Sequence, residues 1–314
     1  MTRIVVTTVL AESALAILRA TGADVWAPPD ARPLPAERLH AVLPGASGVV
    51  ATLHDRVDDA LVDAAGAGLR VVANVAVGYD NVDLPAARAR GVIVTNTPGV
   101  LSDATADLTL ALMLAVTRRV AEGDRLVRAG GAWDWSMDFM VGAELRGRTL
   151  GIVGLGGIGR AVAGRARAFG MDVIHTRRSP GPEPGRVELG ELLERAHVVS
   201  LHCPLTPETR HLIDAAALAR MRPDAYLVNT ARGPIVDEAA LVEALRQGRI
   251  AGAALDVLER EPRAHPGLAA LPNVVLTPHI GSATLETRTA MAELACRNVA
   301  AVLAGAEPLT PIRG

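Results

Sequence analysis

Aromatic side chains are scarce: Phe, Trp and Tyr make up 2% of the 314 residues, while hydrophobic residues as a whole reach 50%. A core must therefore be assembled mainly from Ala, Val, Leu and Ile. Only two cysteines are present, Cys203 and Cys296, so neither a disulfide framework nor a metal spacing is available. Two free thiols fit a reducing compartment. Net charge is also small, formally -2, which offers no general attraction to nucleic acid or to an anionic membrane. The apolar run Leu108–Val116 is too short to span a bilayer and sits in a longer helix with charged ends. The chain enters an apolar strand directly after Met1-Thr2-Arg3, without the features of a secretory signal, so the cytoplasm is the expected compartment. Low-complexity tracts and short-period repeats are missing too. What remains is the profile of a folded globular protein, long enough for two ordinary domains.

Apolar runs and punctuation predict alternating strands and helices. Ile4–Thr8, Ala23–Trp26, Gly48–Ala51, Leu69–Asn74 and Val92–Thr95 read as strands. Helices are expected at Ala11–Ala20, Asp58–Ala65 and Leu84–Ala89, and Pro28, Pro29, Pro33 and Pro35 mark a loop. Thr97-Pro98-Gly99 looks like a domain crossing, after which Ser102 or Asp103 can cap an Ala- and Leu-rich helix. Six further strands follow, beginning near Leu150, Met171, Val198, Tyr226, Ala253 and Asn273. A last helix, Ala283–Leu303, is too little to be a domain and must pack on the first one. The expected fold is α/β with two Rossmann-like lobes and a cleft between them. A doubly wound nucleotide-binding domain spans 99–282, and a smaller, discontinuous flavodoxin-like substrate domain is formed by 1–98 and 283–314.

The stretch from Thr149 to Arg178 organises the chain. A strand runs into Gly154-Leu155-Gly156-Gly157-Ile158-Gly159 and restarts as a helix, the context in which this glycine pattern signifies a dinucleotide site. Gly154 suits the tight turn, Gly156 the approach of a pyrophosphate, and Gly159 close helix–strand packing. The next strand ends at His175-Thr176-Arg177-Arg178-Ser179, where a site for NAD would carry a carboxylate. None is present, and the guanidinium groups of Arg177 and Arg178 can pair with a 2′-phosphate. NADP(H) is therefore the expected cofactor and NAD(H) the alternative. A solvated basic turn beside Pro180 and Pro182 also accounts for the arginine pair.

Other strand ends carry chemistry. Arg232 can hold a planar carboxylate with two parallel hydrogen bonds, and His279 can give a proton to a carbonyl oxygen and take it back. Glu261 can hold one imidazole nitrogen and so fix the tautomer. Singly, each has a plainer role: a loop cap, a surface arginine, a solvated carboxylate. Across the fold, Val77-Gly78-Tyr79-Asp80-Asn81 can bind a carboxylate through backbone N–H groups, or be a tight turn capped by Asp80 or Asn81. Leu53 would line such a pocket. Asp256 fits either a nicotinamide amide or a strand-end turn. Cys203 is expected to pack rather than react. Trp133 and Trp135 lie in a Gly-rich connection, as packing anchors for the loop or as a substrate or subunit contact.

Taken in order, Val77-Gly78-Tyr79-Asp80-Asn81-Val82-Asp83, the glycine stretch, Asn229-Thr230-Ala231-Arg232-Gly233, Gly252-Ala253-Ala254-Leu255-Asp256-Val257, Glu261-Pro262 and Pro278-His279-Ile280-Gly281-Ser282 resemble the D-isomer-specific 2-hydroxyacid dehydrogenases. The resemblance covers almost the whole chain. Within that family, Asn96–Asp107 and Gly123-Asp124-Arg125 are most similar to glyoxylate/hydroxypyruvate reductases. It implies Arg232 as the substrate-binding arginine, His279 as acid/base and Glu261 as its partner, with Leu53, Val77, Gly78 and Trp135 also at the substrate. The implied cofactor positions are Gly154, Gly156, Gly157, Ile158, Gly159, Arg177, Arg178, Cys203, Pro204, Thr209, Thr230, Ala231, Asp256 and Gly281, with no metal. It further implies a homodimer and NADPH-dependent reduction of glyoxylate or hydroxypyruvate. The alternatives are a broader 2-ketoacid reductase and, since some relatives are transcriptional corepressors, a nucleotide-sensing interaction protein. No regulatory domain is expected after Gly314.

Overall fold

A computed structural model describes every residue except Met1, Ala31, Ser179, Pro180, Pro182 and Gly314. The chain forms two compact units, Met1–Leu101 with Ser282–Gly314, and Ser102–Gly281.

The first unit is built on a five-stranded parallel sheet. Its strands are β1 (Arg3–Val6), β2 (Asp24–Trp26), β3 (Gly48–Ala51), β4 (Val71–Asn74) and β5 (Ile93–Thr95), in the order β2-β1-β3-β4-β5. Strands β3 and β4 are buried throughout, as parallel strands covered on both faces must be. The last helix of the chain, Leu285–Leu303, returns to cover this sheet beside the helix Glu12–Arg19. Ile4, Val6, Leu18, Val50, Cys296 and Val299 share one core there. Gly48 permits the close approach, because a Cβ at that position would lie 2.8 Å from Val299 Cγ1. The Thr284 hydroxyl caps the helix by accepting from Thr287 N–H, and at its other end the Arg70 guanidinium donates to the carbonyls of Val302 and Leu303. The proline-marked loop hides a helix, Ala36–Val42, that begins directly after Pro35. Seven residues with only Leu39 buried leave too little periodicity to read.

The second unit carries six parallel strands: β6 (Thr149–Val153), β7 (Asp172–Thr176), β8 (Val198–Leu201), β9 (Tyr226–Asn229), β10 (Gly252–Leu255) and β11 (Val274–Leu276). Their order is β11-β10-β9-β8-β6-β7. The Ala- and Leu-rich helix Ser102–Thr117 packs against both the sheet and the helix Gly157–Ala168, burying Leu110, Met113, Val162 and Ile152 together. The helix ends at Thr117. Arg119 takes a left-handed conformation (φ 55°) and a separate helix, Val120–Arg128, begins. No helix among the described residues is long and apolar enough to cross a membrane.

Candidate active site

The glycine turn after β6 has the shape a dinucleotide needs. Gly154 sits at φ 99°, and a Cβ there would lie 2.6 Å from Cys203 N, so only glycine fits between the ends of β6 and β8. A Cβ on Gly159 would come 2.3 Å from Gly154 O, which ties the helix tightly to its strand. Around Gly156, in contrast, nothing lies within 4 Å of a Cβ position, and no side chain caps the helix that follows. The first turn of that helix is thus open to a pyrophosphate, whose oxygens can take its unpaired N–H groups. Ile158 points the other way and packs on the core.

At the end of β7 the structure adds a group that the sequence reading did not include. Gly185 O accepts from His175 N–H at 2.8 Å and His175 O from Val187 N–H at 2.9 Å, so the chain folds back along the strand end. It returns Glu183, a carboxylate that lies beyond the window searched in the sequence. Arg177 Nη1 stands 3.2 Å from Glu183 Oε2, and Arg160 Nε donates to Glu183 Oε1 at 2.8 Å. Bonding to its own backbone N–H, then to Arg160, outweighs desolvation and lowers the Glu183 pKa. Arg178 is exposed. Ser179, Pro180 and Pro182, assigned to the same basic turn, lie outside the described residues.

After β8, Thr209 Oγ1 donates to Pro204 O at 2.7 Å and accepts from Thr206 N–H, so its hydroxyl shapes its own loop. Burial pushes the Cys203 thiol up to about 11, which makes it an inert packing group. Burial also pushes His202 down to about 4; its Nε2 lies 2.8 Å from Ser200 Oγ.

The loops after β9, β10 and β11 carry Arg232, Glu261 and His279. Asn229 shapes the first, accepting from Ala231 N–H and donating to Arg232 O. Thr230 turns its hydroxyl inward to Thr109, 2.9 Å away. Gly233 lies directly on the backbone of Leu258 and Glu259, which brings Arg232 beside the loop that carries Glu261. Asp256 is almost wholly buried, and its carboxylate accepts from Thr277 Oγ1 (2.6 Å), Ile280 N–H (2.8 Å) and Gly281 N–H (2.8 Å). That is the strand-end turn, and it holds His279 in a left-handed conformation (φ 55°). His279 N–H donates to Asp256 O at 2.7 Å. His279 Nδ1 lies 2.9 Å from Glu261 Oε2, leaving Nε2 for a substrate. Burial raises the Glu261 pKa, but its bond to His279, the Leu258 N–H and the Arg232 charge outweigh that and hold it below the usual carboxylate range. A carboxylate only accepts, so Nδ1 carries the hydrogen.

The first unit's named residues are positioned by amides. Asn96 Nδ2 donates to Val77 O at 2.8 Å and Asn74 Nδ2 to Gly78 O at 2.9 Å. Asn81 Nδ2 donates to the carbonyls of Thr52 and Asp55, on either side of Leu53. Asp55 is buried and accepts from Thr7 Oγ1, Thr52 N–H and Thr52 Oγ1. Asp55, Asn74 and Asn96 escaped the sequence reading, since only the fold shows which loops they join. Trp135 is 77% exposed, and Trp133 and Met137 are exposed as well, so these tryptophans do not anchor their loop by packing.

Comparison with known proteins shows the family of the chain. Residues 110–281 match the family model described as D-isomer specific 2-hydroxyacid dehydrogenase, NAD binding domain. A glyoxylate reductase from Thermofilum pendens is 50% identical over 267 residues, covering 82% of this chain and 78% of its own. Among solved structures, a protein from Thermus thermophilus is 51% identical with a TM-score of 0.94, covering 99% of this chain and 100% of its own. An NADPH-dependent glyoxylate/hydroxypyruvate reductase from Sinorhizobium meliloti, solved with NADP and malonate, is 36% identical with a TM-score of 0.86 and covers 99% of this chain and 96% of its own. The chain therefore belongs to the D-isomer-specific 2-hydroxyacid dehydrogenases, NAD(P)-dependent oxidoreductases that interconvert 2-oxo and 2-hydroxy acids.

Proposed function

We propose that the chain reduces glyoxylate to glycolate and hydroxypyruvate to D-glycerate, with NADPH preferred to NADH. The observation that carries this reading is the His279–Glu261 pair, held at 2.9 Å on a backbone fixed by Asp256. The nicotinamide cofactor, when bound, supplies the hydride. His279 Nε2 gives its proton to the oxygen of the 2-oxo group, and Glu261 stabilises the doubly protonated ring that precedes that transfer. Arg232 is suited to hold a substrate carboxylate through its guanidinium, and in the first unit the backbone N–H groups of Val77 and Gly78 are suited to the same task. Leu53 and Trp135 complete the substrate-binding set. Of the cofactor positions, the backbone at Gly156 and Gly157 is suited to the pyrophosphate, with Gly159 keeping the helix close to its strand, while Arg177 and Arg178 are suited to a 2′-phosphate. The NADPH dependence of the Sinorhizobium meliloti relative supports that preference. The exposed apolar connection around Trp133, Trp135 and Met137 supports a homodimer.

A matched panel of kcat/KM for glyoxylate, hydroxypyruvate, pyruvate and a bulkier 2-oxo acid, each with NADPH and NADH, tests the reading. Preference for the first two with NADPH is the expected result. Preference for the bulky acid would redraw the pocket as that of a broader 2-ketoacid reductase. Cofactor binding without any turnover would overturn the assignment and favour a nucleotide-sensing interaction protein.

A further inference from the structure

The carboxylate that folds back to the end of β7 has no place in a simple 2′-phosphate site. Glu183 stands between Arg160, in the first turn of the helix after the glycine loop, and Arg177, at the strand end. Both guanidinium groups flank the glycine turn, one in the helix that follows it and the other directly after β7, the strand end at which an adenosine ribose sits in a dinucleotide fold. We infer that Glu183 is the cofactor-specificity residue of this chain, an internal anion that a 2′-phosphate must displace and that ribose hydroxyls need not. The inference rests on the cofactor placement proposed above.

Two details make the displacement chemically reasonable. The Arg177–Glu183 pair is incompletely bonded: Arg177 Nε and Glu183 Oε2 are both buried and find no hydrogen-bond partner among the described residues. A phosphate brings more charge and three acceptor oxygens, and can satisfy a guanidinium fork that the carboxylate leaves half used. The second detail is access. Gly181 lies against the Arg177 guanidinium so closely that a Cβ there would overlap Nη2, which leaves Arg177 few directions from which to take a second anion. Arg177 therefore serves one anion at a time. With a bare ribose the carboxylate stays between its arginines and accepts from the 2′- and 3′-hydroxyls, the role acidic residues play at this strand end in NAD sites. With a 2′-phosphate it is expelled. The discrimination between cofactors is consequently smaller than two free arginines would give.

The test compares wild type with Glu183→Gln, which is isosteric, and with Glu183→Ala as a second substitution. Dissociation constants for adenosine 2′,5′-bisphosphate and for ADP-ribose are measured by calorimetry, alongside kcat/KM for NADPH and NADH. Removing the negative charge should tighten the bisphosphate and weaken ADP-ribose, moving their affinity ratio by about tenfold toward the 2′-phosphate in both variants. A ratio that moves by less than about threefold in both variants overturns the inference. If wild type binds neither nucleotide, the cofactor placement itself falls; if it binds both and the ratio stays put, only the role of Glu183 does.

Discussion

The two sheets are wound alike. Read from the first strand of each unit, the neighbours run second, first, third, fourth, fifth in both, and the second unit adds β11 at its edge. The difference lies in the turn after the first strand. In the first unit it is Thr7-Thr8-Val9-Leu10-Ala11, without glycine, and Thr7 closes it by donating to buried Asp55. In the second it is Gly154–Gly159, with open space at Gly156. Winding order places both turns at the carboxyl edge of a parallel sheet, where ligands collect. Side-chain chemistry then decides which edge receives a phosphate. The strand ends diverge in the same way: those of the first unit bond to one another through Asp55, Asn74 and Asn81, whereas those of the second present an imidazole backed by a carboxylate.

The most drastic way to erase the difference is to remove the imidazole. His279→Ala should lower kcat by about a thousandfold, within the range for loss of a general acid. Nucleotide affinity should remain within about twofold, because the ring is separate from the glycine turn. Calorimetric titration with NADPH reads that directly, and parallel loss of binding and turnover would mean a damaged fold instead.

A pair of glycine substitutions sharpens the contrast between open and closed turns. Gly154→Ala forces a Cβ into φ 99° and against Cys203 N, and should cost roughly 2–4 kcal/mol in urea unfolding. Gly156→Ala meets nothing in the protein, so unfolding should shift by less than about 1 kcal/mol while NADPH binding weakens about tenfold or more. Equal effects of the two on stability would contradict the idea that Gly156 is kept small for a ligand.

Much of this contrast was legible in the residues. All eleven strands lie within about two residues of their expected positions; β3, β4, β8 and β10 are buried throughout and read as short runs of apolar and small residues, and the others are marked by apolar residues between turn signals. Arg232, Glu261 and His279 were legible because each follows such a run. The rest depends on tertiary return. Glu183 reaches Arg177 only through the pairing of His175 with Gly185 and Val187, and Asn81 bridges two loops whose neighbourhood no local pattern encodes. The helix Ala36–Val42 and the break at Arg119 were hidden for another reason: both are decisions of one or two residues, too small for periodicity to register.

His202 offers a comparison within the second unit, between a histidine paired with a carboxylate, His279, and one that is buried. Burial lowers its pKa to about 4 from an ordinary 6.5, so between those values the unfolded chain binds a proton that the folded chain refuses. Its contribution is complete above about pH 6.5 and is lost as pH falls toward 4, for a total of about 3 kcal/mol. Urea unfolding of wild type and His202→Asn across that window isolates the effect, because other titrating groups cancel. The wild-type curve should fall more steeply with acid, and parallel curves would show that the ring protonates in place.

The smallest effect concerns exposed aromatics. In the first unit the large one is Tyr79, beside the amide-tethered Gly78; in the second, Trp133, Trp135 and Phe139 stand in the connection before β6. A side chain 77% exposed contributes little packing to its own chain, so Trp135→Ala should leave the unfolding of an isolated subunit nearly unchanged. If the connection meets a second copy at its site, the same substitution should change the hydroxypyruvate-to-glyoxylate ratio of kcat/KM by a few-fold and weaken self-association in sedimentation. The two readouts must move together, since both arise from one contact. A shift in melting temperature alone would return Trp135 to the loop-packing role that its exposure argues against.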